Sequence, residues 1–283
     1  MSEEVDIDHL RSWIGKQDRE SDSITPELLK RFRATLSGIT EVVTELPLGI
    51  HWCLAQAAVN SDELGVDGHP AKGGFLPPVP LPRRMWASSR LRIHRQPGLA
   101  EPIERTSTIA DVVLKQSANS GPLVFVQVDH EYVQDGESLI EDRQTIVYRQ
   151  PAAFKQAVVQ EKAQEPANAI TVLPDSTLLF RYSAITFNGH RIHYDQPYTT
   201  SEEGYPGLVV HGPLMATLLM NLAQSSQPLT PLREFEFRGM APAFVDQALQ
   251  LLVNDAAGES LEIRNHEGAL IMTASAGFGD TDQ

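Results

Sequence analysis

Across residues 212–223 the chain is apolar on nearly every side. Leu214, Met215, Leu218, Leu219, Met220 and Leu222 cover almost the whole circumference of a helix that Pro213 suits in its first turn. A helix apolar all round must be buried, so the rest of the fold has to enclose it. The sequence that follows can do so. Residues 232–238, 248–254, 260–264 and 269–274 read as strands, with Phe235 and Phe237 alternating with Glu234, Glu236 and Arg238.

The first part of the chain repeats this order of elements. Residues 1–45 read as helical, with Leu29, Phe32 and Leu36 at helical spacing and Gly38 as a stop. A second helical stretch covers about 49–60. A loop carrying Pro70, Pro77, Pro78, Pro80 and Pro82 comes next, and proline at that density excludes a helix interior or a central strand. Residues 88–95, 106–114, 123–132 and 143–148 read as strands, with turns at Gly121-Pro122 and Asp135-Gly136. Residues 151–175 are of mixed composition and separate the two parts. A further strand is expected at 177–187, before a loop that runs to His211. The expected architecture is α+β: residues 1–150 as one half, 151–175 as linker and 176–283 as a second half, each half a helix wrapped by an antiparallel sheet.

Apolar residues make up 41% and charged residues 21%, the balance of a globular protein with a full core. No run of 18 apolar residues exists, so no spanning helix is expected. The acidic start, MSEEVDIDHL, reads as neither a secretory nor a transit segment. The single cysteine, Cys53, excludes an internal disulfide and a multi-cysteine metal site, and a cytoplasmic protein is the simplest reading. A net charge of −14 argues against nucleic acid as a partner and requires a local basic patch for any anionic ligand.

Three segments could carry chemistry. Residues 187–195 hold Asn188, His190, Arg191, His193 and Asp195 beyond the end of an expected strand. His193 can give or take a proton near neutral pH. Asp195 could orient it, and Asn188 can hold a water or a carbonyl oxygen without ionising. His211 and Gly212 open the buried helix, where free N–H groups could bind a developing oxyanion. Arg83, Arg84, Arg90, Arg92 and Arg95 fall within thirteen residues and could bind phosphates. Each segment also has a structural explanation: a polar loop, a common Gly-Pro helix start, and a solvated basic strand face.

Taken together, the three segments resemble the MaoC-like hydratases and dehydratases of the hot-dog superfamily, over most of the chain. That family's hydratase motif reads Asp, any residue, Asn, Pro, aliphatic, His, any residue, Asp, and residues 188–195 occupy it. The resemblance puts the family's histidine on His193, its last aspartate on Asp195 and its His-Gly helix start on His211 and Gly212. The stretches Gly74-Phe75-Leu76-Pro77-Pro78 and Leu81-Pro82-Arg83-Arg84-Met85-Trp86-Ala87 resemble the dehydratase-type N-terminal half of mesaconyl-C4-CoA and itaconyl-CoA hydratases. Related two-half proteins are the type 2 hydroxyacyl-thioester dehydratases. Among the departures from the motif, its first aspartate, which shares the acid–base work, is Asn188, and its proline is Arg191.

The resemblance implies a double hot-dog fold and a hydro-lyase. The leading expectation is hydration of mesaconyl-C4-CoA or itaconyl-CoA to citramalyl-CoA, a step of itaconate degradation. His193, Asn188, Asp195 and Gly212 would form the catalytic set. Arg191, His190, His211, Arg83, Arg84, Arg90 and Arg92 would bind substrate. The CoA thioester enters as substrate, with no metal or other cofactor, and a homodimer is an open option. The alternatives are a 3-hydroxyacyl-thioester dehydratase for plain acyl chains and a catalytically silent thioester-binding protein.

Overall fold

The computed structural model describes residues 5–117, 121–151 and 169–279. Its strands form one antiparallel sheet in two halves. The first half contains β1 (Gln17–Ser23), β2 (Arg83–Ile93), β3 (Pro102–Ser117), β4 (Gly121–Gln134) and β5 (Glu137–Arg149), in the order β1-β3-β4-β5-β2. The second contains β6 (Ile170–Val172), β7 (Leu232–Gly239), β8 (Leu249–Val253), β9 (Ser260–Asn265) and β10 (Leu270–Phe278), in the order β7-β10-β9-β8-β6. Read outward from the joint, both halves run second, fifth, fourth, third, first strand. The repeat suggested by the order of elements is therefore a repeat of topology as well.

β2 and β7 pair at the joint, from Ser88 opposite Arg238 to Arg92 opposite Glu234. Asp135 and Gly136 form the two-residue turn between β4 and β5, both with positive φ (53° and 80°), as a type I′ hairpin requires.

Among the described residues five α-helices accompany the sheet: α1 (Ile7–Arg11), α2 (Pro26–Leu36), α3 (Ser176–Ile185), α4 (Gln196–Ser201) and α5 (Gly212–Ser226). α5 is the helix expected from its composition. Every residue from Leu214 to Gln224 is buried, and it packs on β7, β8, β9 and β10. Its Leu214, Leu218 and Leu219 share one core with Phe235 and Phe237 of the second half and Leu91 and Trp52 of the first.

Several local expectations are corrected. Among the described residues the first half has no helix buried all round like α5: where a helix was expected at 49–60, there is only a 3-10 turn, Ile50–Cys53, followed by irregular chain and the proline-dense loop. Residues 1–45 are not continuously helical, because polar β1 lies between α1 and α2 and pairs with the edge of β3. Its charged, exposed side chains carry no apolar alternation to betray a strand. Residues 177–187 are not a strand; they fall mainly in α3. Asp175 caps α3 by accepting from the Leu178 N–H at 2.7 Å, and the helix buries Leu178, Leu179, Tyr182 and Ser183 on one face. Most of the expected linker, residues 152–168, lies outside the described residues. Its last part includes β6, which pairs with β8 and belongs to the second half of the sheet.

Candidate active site

The site loop follows α3. Phe187 takes a left-handed conformation (φ 49°) that ends the helix. The Asn188 Oδ1 accepts from the His190 N–H at 3.0 Å, so half of its amide is committed to the turn and its Nδ2 remains as donor. A 3-10 turn, Arg191–His193, then leads to α4. The segment thus stands beyond a helix end and not, as expected, beyond a strand end.

His193 is buried, and its Nδ1–H donates to the Val209 carbonyl at 2.7 Å. The same residue's N–H donates to the Ile192 carbonyl, so the segment before α5 grips the histidine from two sides. With the proton held on Nδ1, the Nε2 lone pair is the basic position. Burial pushes the His193 pKa down to about 4, against a smaller opposing effect of the Val209 bond. The ring is therefore a neutral base near neutral pH. It stacks on His211 at 3.7 Å between ring centres, and His190 meets it edge-on at 5.4 Å. His211 is fully buried, bonds the Ser183 hydroxyl through Nε2 at 2.8 Å, and leaves Nδ1 without a partner. Burial and the neighbouring imidazoles hold His190 and His211 well below the usual histidine range.

Asp195 does not orient His193; the Val209 carbonyl does. One Asp195 oxygen caps α4 through the Tyr198 N–H at 3.1 Å, and the other accepts from Arg191 Nε and Nη2 at 2.9 and 2.7 Å. Those bonds account for its lowered pKa. Arg191 also bonds the Val66 carbonyl and lies over the Tyr198 ring at 4.0 Å, so its guanidinium holds the loop together.

A cleft of about 620 Å³ opens between the halves. Ser183, Thr186, Asn188, Gly189 and Pro213 line it from the second half; His193, His211 and Gly212 are not part of the lining. Phe180 and Phe187 add apolar surface. From the first half, the irregular stretch that replaces a helix contributes Gln56, Leu64, His69, Phe75 and Leu76. Gly212 is the first residue of α5, where backbone N–H groups lack intrahelical partners.

The arginine cluster does not act as one patch. Arg90 and Arg92 pair with Glu236 and Glu234, their cross-strand neighbours at the joint, on an exposed face. Arg95 pairs with Glu137, Arg83 with Glu203, and Arg84 with Asp67. None of the five lines the cleft. Arg83 and Arg84 come nearest to the site, close enough to depress His190. Strand alternation and partner acids disperse what is dense in sequence.

The cleft instead carries polar residues that the motif reading passed over: Arg105, Ser107, His130, Tyr132 and Gln144, on the inner face of β3, β4 and β5. Ser107 and His130 face each other across β3 and β4 and bond at 2.8 Å. Burial, then the Arg105 guanidinium, pushes the His130 pKa down to about 3. The signal was in the period-two pattern, where polar Arg105 and Ser107 occupy the inward positions between Ile103 and Ile109. The expected strand began at residue 106, one position too late to include Arg105.

The family model of hydroxyacyl-thioester dehydratase type 2 matches residues 49–245, across both halves. Mesaconyl-C(4)-CoA hydratase of Chloroflexus aurantiacus is 41% identical over 276 residues, 95% of this chain and 97% of that protein. The mitochondrial hydroxyacyl-thioester dehydratase type 2 of Schizosaccharomyces pombe is 28% identical, covering 83% and 89%. Among solved structures, HtdX of Mycobacterium tuberculosis superposes with a TM-score of 0.66 at 16% identity, covering 92% of this chain and 99% of its own. Another M. tuberculosis protein, described as having a double hotdog fold, scores 0.55 at 12% identity and covers 94% and 96%. The architecture is the double hot-dog that the motifs implied. The chain belongs to the hydroxyacyl-thioester dehydratase type 2 family and is a hydro-lyase of the hydratase–dehydratase kind.

Proposed function

We propose that the protein adds water to the α,β-double bond of a branched C5 dicarboxyl-CoA, with mesaconyl-C4-CoA as substrate and citramalyl-CoA as product. The observation that carries the proposal is His193: neutral, fixed through Nδ1 to the Val209 carbonyl and basic at Nε2. The name of the relative at 41% identity supports the acyl group. Itaconyl-CoA is the other candidate, since it yields the same product.

In this mechanism the cleft wall at Asn188 and Pro213 admits water and the acyl end to His193 and Gly212 behind it, and Nε2 takes a proton from water as the oxygen attacks the β-carbon. The electron pair of the double bond moves toward the thioester, which becomes an enolate. The Gly212 N–H at the start of α5 stabilises the enolate oxygen. The protonated His193 then returns its proton to the α-carbon, so one residue serves both proton steps. Asn188 Nδ2 donates to the water or the acyl oxygen. The steps draw on no metal or redox cofactor, because the thioester itself acidifies the α-carbon.

The family match favours a second reading, dehydration of a plain 3-hydroxyacyl thioester by the same groups in reverse. Separate incubation with mesaconyl-C4-CoA and crotonyl-CoA, following double-bond absorbance, tests both. We expect loss of absorbance with mesaconyl-C4-CoA. Turnover of crotonyl-CoA alone would establish the second reading, and turnover of neither would leave a thioester-binding protein.

A further inference from the structure

We propose that Arg105 recognises the free carboxylate of the acyl group and so sets the preference for a dicarboxyl over a plain acyl chain. The inference rests on the acyl-thioester reading above and adds the residue that reads the acyl group.

Arg105 is 9% exposed, at an inward position of β3, and lines the same cleft as Asn188 and Pro213. Its Nε is buried with no hydrogen-bond partner. Among the described residues its one carboxylate neighbour, Asp18, stands 4.0 Å from Nη2, and Asp18 is itself 38% exposed. This contrasts with Arg83, Arg84, Arg90, Arg92 and Arg95, each of which has an acid partner closer than that. A buried guanidinium with an unfilled donor is costly to keep. A ligand carboxylate would offset that cost, because its two oxygens match the guanidinium fork.

Position separates a carboxylate from the other anions of a CoA thioester. Nucleotide phosphates stay hydrated and belong at a cleft mouth. Arg105 lies instead on the inner sheet face between Ile103, 1% exposed, and Ser107, 1% exposed. The neighbouring groups suit an anion too. Ser107, His130, Tyr132 and Gln144 are polar, and the one carboxylate among the described lining residues is Asp18, the 38% exposed neighbour already named. A plain acyl chain would leave this wall unsatisfied.

The test compares saturated, unreactive thioesters, so it does not depend on turnover. Wild-type protein should bind succinyl-CoA at least tenfold more tightly than butyryl-CoA. In Arg105→Met that preference should vanish, and Arg105→Lys, which keeps the charge without the fork, should retain part of it. The ratio of kcat/KM for mesaconyl-C4-CoA to that for crotonyl-CoA should fall at least tenfold in Arg105→Met. Equal affinity of wild type for the two saturated thioesters would overturn the proposal, as would a preference that survives in Arg105→Met. Because the wild-type comparison needs no variant, a misfolded variant does not rescue the idea. Absence of turnover on either unsaturated substrate would defeat the hydratase reading while leaving the binding preference to decide the role of Arg105.

Discussion

At the scale of single residues, the proposed mechanism divides the work between His193 and Asn188 by what each can exchange with water. His193→Ala removes the only base that the mechanism uses, so kcat should fall roughly 10²- to 10⁴-fold. KM should move little, since the lost interaction belongs to the transition state. Steady-state rates on mesaconyl-C4-CoA check this, and near wild-type turnover would end the mechanism. Asn188 gives a sharper discrimination. Its Oδ1 holds the His190 N–H, a bond that an aspartate can also make. Only the Nδ2 donor is lost in Asn188→Asp, because an ionised carboxylate accepts and does not donate. We therefore expect Asn188→Asp to fold normally and to lose at least tenfold in kcat, by about the worth of one hydrogen bond to a charged group. Full activity would show that the donor is idle and that a carboxylate serves as well there.

At the scale of elements, the site is held where two loops from different halves meet. Gly68 and Gly189 face each other so closely that a Cβ on Gly189 would fall 2.5 Å from the Gly68 carbonyl oxygen. Gly68 has φ +84°, and a Cβ there would collide with the Gly189 carbonyl. Around them Arg191 N–H donates to the Asp67 carbonyl at 2.9 Å, and Arg84 Nε bonds the Asp67 carboxylate at 3.0 Å. Gly68→Ala should therefore cost more than the roughly 1–2 kcal/mol of a left-handed alanine, because backbone has to move as well. The denaturant midpoint should drop and the hydratase rate should fall with it. An alanine variant with wild-type midpoint and rate would show that the loops are free to part. The same scale explains what could be read in advance. α5 and the strands from β2 to β5 were legible because their burial is one-sided or complete, which leaves a period in the sequence. α3 was not, because aromatic and β-branched residues across 177–187 imitate a strand while its cap, Asp175, lies just outside that window.

At the scale of the molecule, the two halves close around histidines that must stay neutral. His51, His190, His193 and His211 are all under 9% exposed, and burial lowers each pKa, to about 3 for His51 and about 4 for His193. The unfolded chain binds protons near pH 6.5 and the folded chain does not, so stability is full above that pH and declines as pH falls toward 4. Each histidine can contribute a slope of up to about 1.4 kcal/mol per pH unit in that window. Buried Asp142, whose pKa is raised by burial, works in the opposite direction but is a single group. Urea midpoints at pH 7.5, 6.0 and 5.0 should therefore fall steeply, and a flat profile would show that the imidazoles are not buried as described. The exposed Arg90–Glu236 and Arg92–Glu234 pairs at the joint do little here, since surface ion pairs add about 0–1 kcal/mol each.

By itself the sequence determined that α5 is buried, that antiparallel strands enclose it, and that Gly212 stands at its start. Each of these follows from a local pattern: all-round apolarity, alternation, or a short motif. Only the tertiary structure decided what Asp195 and the arginines do, because a charge's role depends on its nearest opposite charge, and those partners are 4 to 146 residues away. The tertiary structure also decided that the helix expected at 49–60 is a 3-10 turn and irregular chain, and that the space beside this irregular stretch is a cleft reaching Arg105. A cleft is the volume left between distant segments, and no local pattern in a chain records it.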